Sequence, residues 1–216
     1  MPAKRDHAAV HAAVLPRDHL DKTFTCHKLP QQIPRLEWIK TAYPHAKVLW
    51  IVRHPYAVVS SMRTLVEGDD GRNWLQRWPE SLRGNARLFP EIADMDLCGL
   101  DQISRGAYTW KYNAMAIARY REAMPSFSTI RYEELVQRPR EVLEPVLARC
   151  DIAWSDAVLH HEVTHRGKRY CGNNVGSRPI DRTRASPGLR LDDREKARVR
   201  AIGSPAMDEF YPVAGG

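Results

Sequence analysis

Lys47-Val48-Leu49-Trp50-Ile51-Val52-Arg53-His54-Pro55-Tyr56-Ala57-Val58-Val59-Ser60-Ser61-Met62 is the stretch whose reading decides the fold. The apolar run Val48 to Val52, rich in β-branched residues, predicts a strand, buried on both faces as in the centre of a parallel sheet. The run stops at Arg53. Pro55 suits a turn or the first position of a helix, and Ala57, Val58, Ser61, Met62 and Leu65 then recur at helical spacing. A buried strand therefore delivers Arg53 to the end of a sheet, and a helix starting there carries Ser61. Open α/β sheets bind ligands beyond the carboxyl ends of their strands. A guanidinium fork and a hydroxyl at that place suit a phosphate. The alternative for Arg53 is a loop cap or a pairing with a surface acid.

Outward from this stretch the pattern continues. Thr23 to Cys26 reads as a short strand, and His27-Lys28-Leu29-Pro30 as a polar pair ahead of a turn. Pro34 opens a helix running to Tyr43. After the loop Glu67-Gly68-Asp69-Asp70-Gly71 the chain is irregular, and residues 79–103 have no clear period. Such an insertion forms a lid, a substrate wall or a plain connection. A long helix is predicted over Ser104–Ala123, with Ser104 as N-cap and Ala107, Trp110, Ala114, Ile117 and Arg121 along one face. Phe127 to Tyr132 reads as the next strand. Pro139 opens a helix with Val142, Leu143, Val146 and Leu147 as its inner stripe. Asp192–Ile202 reads as a charged helix, with a last turn over Ala206–Tyr211. Strands alternating with helices mean an α/β fold with a parallel sheet flanked by helices. At 216 residues the chain reads as one domain over 1–216, with an ill-defined segment at 1–22.

Charge and cysteine content narrow the partners. The net charge is +7. Residues 166–200 hold eleven Lys/Arg against four Asp/Glu, so the excess lies in one C-terminal segment. Within it, the basic glycine-rich loop over 166–190 has no hydrophobic period. Its glycine amides beside Arg166, Lys168 and Arg178 could cradle a phosphate, or the cations could form a solvated face. The segment has no nucleic-acid motif and no alternation of aromatic with basic residues, which argues against a nucleic-acid partner. No apolar run is long enough to span a membrane, and the N-terminus lacks a secretory pattern. Cys26, Cys98, Cys150 and Cys171 are widely spaced, so reduced thiols, a cytoplasmic location and no metal site are expected. His7 and His11, four apart, have no third ligand nearby and read as surface residues.

In order, these motifs resemble the sulfotransferases that use 3′-phosphoadenosine 5′-phosphosulfate (PAPS), most closely the bacterial, Golgi and tyrosylprotein branches. Val52-Arg53-His54-Pro55 followed by Ser61 is similar to the family's 3′-phosphate element. Lys28-Leu29-Pro30 resembles its lysine-proline element near the sulfuryl group. Tyr43-Pro44-His45-Ala46-Lys47 matches the phrase before the strand, and Arg131-Tyr132-Glu133-Glu134-Leu135 with Pro139 a later strand end. Gly172-Asn173 with Arg178 resembles the loop that closes over the nucleotide. The matches cover roughly residues 23–210. The resemblance implies a P-loop NTPase-like sulfotransferase fold and sulfuryl transfer from PAPS, without a metal, to a hydroxyl or amine of a small molecule or saccharide. It implies Arg53 and Ser61 as 3′-phosphate ligands, with Tyr132, Arg166, Lys168, Gly172, Asn173 and Arg178 as further nucleotide-binding residues. Tyr132 serves equally as a core residue with its hydroxyl at the rim. Lys28 is the candidate to neutralise charge on the transferred group and His27 the candidate base. On a regular strand these two would point to opposite faces, so they share a site only where the backbone is irregular.

One element of the family pattern has no counterpart. Nothing here is similar to its opening glycine-rich loop, Pro-x-Ser-Gly-Thr-Thr, which holds the 5′-phosphosulfate at a helix N-terminus. The expectation is an N-terminally truncated fold, either catalytic with that loop supplied from elsewhere or a non-catalytic binder of a 3′-phosphonucleotide or polyanion.

Overall fold

The computed structural model describes Cys26 and residues 35–66, 82–164, 179–186 and 190–212. The chain divides into two compact units, residues 1–46 and 47–216. Of the first, helix α1 (Leu36–Ala42) is described. It closes on Tyr43, whose N–H donates to the Ile39 carbonyl, and the Trp38 and Tyr43 rings meet edge to face at 5.7 Å.

The second unit carries the sheet. Strand β1 is Val48–Val52 and strand β2 is Phe127–Arg131, paired in parallel with Val48 opposite Phe127 and Val52 opposite Arg131. A parallel pair needs a crossover. Here it contains α2 (Pro55–Val66), a 3-10 turn at Pro90–Ile92 and the 22-residue α3 (Gln102–Ala123). After β2 come α4 (Tyr132–Gln137), α5 (Pro139–Arg149), a 3-10 turn at Asp156–His160, α6 (His161–Thr164), a 3-10 turn at Arg182–Ala185, α7 (Asp193–Gly203) and α8 (Ala206–Phe210).

Helix α3 is the hub, with buried residues around more than half of its circumference. On one side Trp110 and Ala114 pack with Val52 of β1 and with Ala206, Met207 and Phe210 of α8. On another, Ile103 and Ala107 meet Val59 of α2 and Leu191 and Val199 near α7. Gly106 lets α2 approach closely, because a Cβ there would lie 3.2 Å from Met62 Sδ and 3.3 Å from Val59 Cγ2. A third side faces the segment after residue 82. Leu82, Phe89, Ile92 and Leu97 of that segment are almost wholly buried, Phe89 meets the Tyr112 ring at 5.3 Å, and the Asn85 amide donates to Asn113 Oδ1 at 2.9 Å. The irregular insertion is thus, over its described part, a packed wall.

Three local expectations are corrected. Strand β1 is not buried on both faces: Leu49 and Ile51 are 39% and 44% exposed, while Val52 is closed off. Helix α3 starts a turn earlier than expected, with Asp101 rather than Ser104 as N-cap. The Asp101 carboxylate accepts the Ile103 and Ser104 N–H groups at 3.0 Å and the Ser104 hydroxyl at 2.8 Å. Its second oxygen also takes Arg198 from the middle of α7 at 2.8 Å, tying the start of α3 to that helix. Arg121 is exposed and bonds Glu209 at 2.6 Å instead of joining the inner stripe. The charged helix over 192–202 forms as expected, with Asp192 and Glu195 making a reciprocal capping box.

Candidate functional site

The register of the two strands builds the site. Because Val52 pairs with Arg131, the next residues, Arg53 and Tyr132, leave the sheet side by side at its carboxyl end. The Arg53 guanidinium carbon lies 4.7 Å from the centre of the Tyr132 ring, within cation–π range. Tyr132 is therefore a partner of Arg53 rather than a plain core residue.

No acid among the described residues pairs with Arg53. By contrast Arg63, Arg121, Arg131, Arg138, Arg198 and Arg200 all meet carboxylates, at Glu195, Glu209, Glu134, Glu141, Asp101 and Asp208. Arg53 Nε is buried with no hydrogen-bond partner. An unmet buried donor costs about 1–3 kcal/mol, and such groups call for an explanation. An anion reaching the guanidinium supplies one. The loop-cap alternative does not fit, since no carbonyl among the described residues accepts from this side chain.

The backbone after Arg53 is gripped at both ends of one peptide group. Its carbonyl accepts the Trp110 indole N–H from α3 at 2.9 Å. The N–H of the same peptide, that of His54, donates to Glu133 Oε1 at 2.9 Å. Glu133 Oε2 in turn accepts the Tyr211 hydroxyl at 2.8 Å. Burial, followed by the Glu133 carboxylate, pushes the Tyr211 phenol far above its ordinary pKa, so the hydroxyl stays a donor. The His54 ring lies 4.7 Å from both the Tyr56 and the Tyr211 rings. Its Nδ1 accepts the Tyr56 N–H at 3.2 Å, which assigns the proton of the neutral ring to Nε2. The chain then enters α2 with Pro55 as its first residue.

Ser61 stands exposed on α2, while its neighbour Ser60 is buried. Eight residues after Arg53, it lies on the same helical stripe as Val58 and the entry of the helix at His54. The other sequence-derived candidates, His27, Lys28, Arg166, Lys168, Gly172, Asn173 and Arg178, lie outside the described residues. Reasoning from sequence missed three groups: Glu133, Tyr211 and the Trp110 indole. Glu133 belongs to the quoted Arg131-Tyr132-Glu133 phrase, so a signal existed for it. None existed for Tyr211, 78 residues further along. A separate cleft of about 290 Å³, lined in part by Lys47, Ser126, Ser128, Arg149 and Cys150, lies at the opposite, amino end of the strands. Its cations are Lys47, 4.0 Å from Asp151, and Arg149, which donates to Ser128 Oγ at 3.4 Å; open α/β sheets bind ligands at the other, carboxyl end.

His54 gives the corner a pH dependence. Burial holds its pKa below the ordinary 6.5, against the opposing pull of Glu133, and Arg200 acts in the same direction as burial. The unfolded chain therefore takes up this proton first as pH falls. The His54 contribution to stability is complete above pH 6.5 and is lost as pH falls through the folded value. In thermal melts between pH 7.5 and 5, the wild type should lose Tm relative to His54→Asn, which has no proton to gain. Parallel curves would refute this. The carboxylates held below their ordinary values, Asp101 and Asp208, enter only near pH 3.8 and lower.

Comparison with known proteins identifies the family and the fold. A sequence model described as the Sulfotransferase family matches residues 3–156. Protein-tyrosine sulfotransferase 1 of Danio rerio is 26% identical over 145 residues, 64% of this chain and 32% of that protein. The Protein-tyrosine sulfotransferase of Drosophila melanogaster is 25% identical over 143 residues, 63% of this chain and 23% of that protein. The chain thus spans a third or less of the length of these curated relatives. A solved sulfotransferase domain from the curacin biosynthetic pathway superposes with a TM-score of 0.60 at 17% identity, covering 91% of this chain and 66% of that one, a likeness of fold. With its parallel strands, flanking helices and arginine at the strand end, the chain belongs to the sulfotransferase family.

Proposed function

We propose that this chain takes part in sulfuryl transfer from PAPS to a hydroxyl or amine acceptor, a small molecule or a saccharide, with Arg53 as the principal ligand of the donor's 3′-phosphate. The observation that carries the proposal is the Arg53 guanidinium itself. It stands at the carboxyl end of β1 under the Tyr132 ring, with a buried, unmet Nε and no carboxylate partner among the described residues. A fork of N–H donors in that state fits a phosphate. Ser61 adds a hydroxyl from α2, and the glycine-rich basic segment with Arg166, Lys168, Gly172, Asn173 and Arg178 supplies further cations and amides to the nucleotide.

The activated sulfuryl group would come with the bound donor. What the chain contributes is orientation and neutralisation of charge, which in related group transfers account for most of the catalysis. Arg53 and Ser61 fix the donor at its 3′ end. Lys28 is assigned to charge on the transferred group, and His27 to the acceptor proton. Family membership and the tyrosine sulfotransferase relatives support this reading. The names of those relatives add tyrosyl peptides to the acceptors worth assaying.

Calorimetric titration with 3′-phosphoadenosine 5′-phosphate (PAP) and with adenosine 5′-phosphate (AMP) tests the binding half. PAP is expected to bind at least about tenfold more tightly, as one charge-assisted contact to the extra phosphate would give. Equal affinities would overturn the assignment. Transfer of radiolabelled sulfate from PAPS to phenols, amines, saccharides and tyrosyl peptides tests the chemistry. Discrimination in binding with no transfer to any acceptor would favour a non-catalytic 3′-phosphonucleotide binder.

A further inference from the structure

The peptide between Arg53 and His54 is held more tightly than a strand end needs. Its carbonyl is bound by Trp110 and its N–H by Glu133. Together these fix the rotations on either side of that peptide, and with them the root of the arginine side chain. Glu133 is itself held by the Tyr211 hydroxyl at 2.8 Å, from beyond the last helix of the described chain. Glu133 also directly follows Tyr132, whose ring lies over the Arg53 guanidinium. One carboxylate therefore ties together the backbone that roots Arg53, the helix start that places its aromatic partner, and Tyr211 at the end of α8. A carboxylate with an N–H on one oxygen and a hydroxyl on the other is a satisfied, directional joint.

We infer that Glu133, clamped by Tyr211, is a positioning residue for Arg53: it orients the Arg53–His54 peptide so that the guanidinium meets a 3′-phosphate in register. The inference rests on the proposed role of Arg53 as the 3′-phosphate ligand. It assigns no contact between Glu133 and the nucleotide, as a carboxylate and a phosphate would repel. Its consequence is specific. Loosening the joint should weaken recognition of the 3′-phosphate and leave the rest of the nucleotide site untouched.

The test titrates the full chain and its Glu133→Ala, Glu133→Gln and Tyr211→Phe variants with PAP and with AMP, which lacks the 3′-phosphate, and records Tm for each. Glu133→Ala should weaken PAP about tenfold, the scale of one lost charge-assisted hydrogen bond, with AMP affinity unchanged. Glu133→Gln, whose amide oxygen can still accept the His54 N–H, should recover most of that loss. Tyr211→Phe keeps the ring against His54 and loses only the hydroxyl; it should weaken PAP by about threefold, the scale of a neutral hydrogen bond. It also serves as the readout should Glu133→Ala fail to fold. If the wild type does not prefer PAP to AMP, the proposed function fails. If the wild type prefers PAP and the variants keep the same preference, or lose both nucleotides in parallel with Tm, Glu133 is a structural joint only and the positioning role is overturned.

Discussion

Arg53→Ala is expected to weaken PAP binding by about two orders of magnitude, while AMP binding changes little. The magnitude follows from what the side chain would do. A guanidinium meeting phosphate through two N–H groups makes charge-assisted bonds, each contributing about 1.5–3 kcal/mol. Every 1.4 kcal/mol is roughly tenfold in affinity. Two such bonds, discounted for shared geometry, give about 3 kcal/mol. Arg53→Lys should recover only part of this, because a point charge cannot reproduce the planar fork or the stacking on Tyr132. Folding should barely register the change. The variant loses a cation–π contact of about 0.5–1 kcal/mol but also removes the unmet buried Nε, and these effects have opposite signs. Calorimetry and thermal melts on the same samples check both halves. Unchanged PAP affinity in Arg53→Ala would remove Arg53 from the site.

This residue was legible in the sequence because the chemistry and the fold signal coincide there. An apolar run that ends on an arginine, followed by proline and a helical period, fixes strand end, turn and helix from local information alone. The partner strand was legible for the same reason, and pairing the two runs end to end places Tyr132 beside Arg53. What local pattern could not supply was reach. Glu133 meets His54 across 79 positions and Tyr211 across 78, and no spacing rule links residues so far apart. The insertion before α3 showed no period because it packs through short turns, yet Asn85 and Ile92 are fully buried in it.

The smaller misreadings have separate causes. Asp101 and Ser104 are both good N-caps three residues apart, and the carboxylate prevailed by accepting two amides, the serine hydroxyl and Arg198 together. The stripe Ala107, Trp110, Ala114, Ile117, Arg121 repeats every 3.5 residues. Arg121 keeps that face but falls in the last turn of α3, where its guanidinium lies 5.7 Å from the Phe210 ring and bonds Glu209. The run Val48 to Val52 suggested burial on two faces because its composition cannot distinguish two-sided from one-sided burial. The exposed face carries Leu49 and Ile51.

Trp110→Ala should have the largest effect on stability, a loss of about 3–5 kcal/mol, the range for removing a large buried aromatic side chain. Trp110 is 6% exposed and sits where α3, β1 and α8 converge, against Val52, Ala114, Met207 and Phe210. All four neighbours are themselves buried in the same cluster. A domain has on the order of 5–15 kcal/mol in total, so the variant should lose a large share of its stability. Urea titration should show a lower midpoint with an unchanged slope, the signature of lost stability without a change in the surface exposed. Trp110→Phe separates packing from hydrogen bonding. It keeps an aromatic ring in the core and deletes the indole N–H that holds the Arg53 carbonyl at 2.9 Å. A smaller loss of about 1–3 kcal/mol is expected, as for a buried acceptor left without its donor. The Arg53–His54 peptide would then be held by Glu133 alone, so PAP affinity should fall by a few-fold even where the protein is fully folded. A Trp110→Ala variant within 1 kcal/mol of wild type would contradict the packing around α3. A Trp110→Phe variant with unaltered PAP affinity would show that Glu133 alone suffices to orient Arg53.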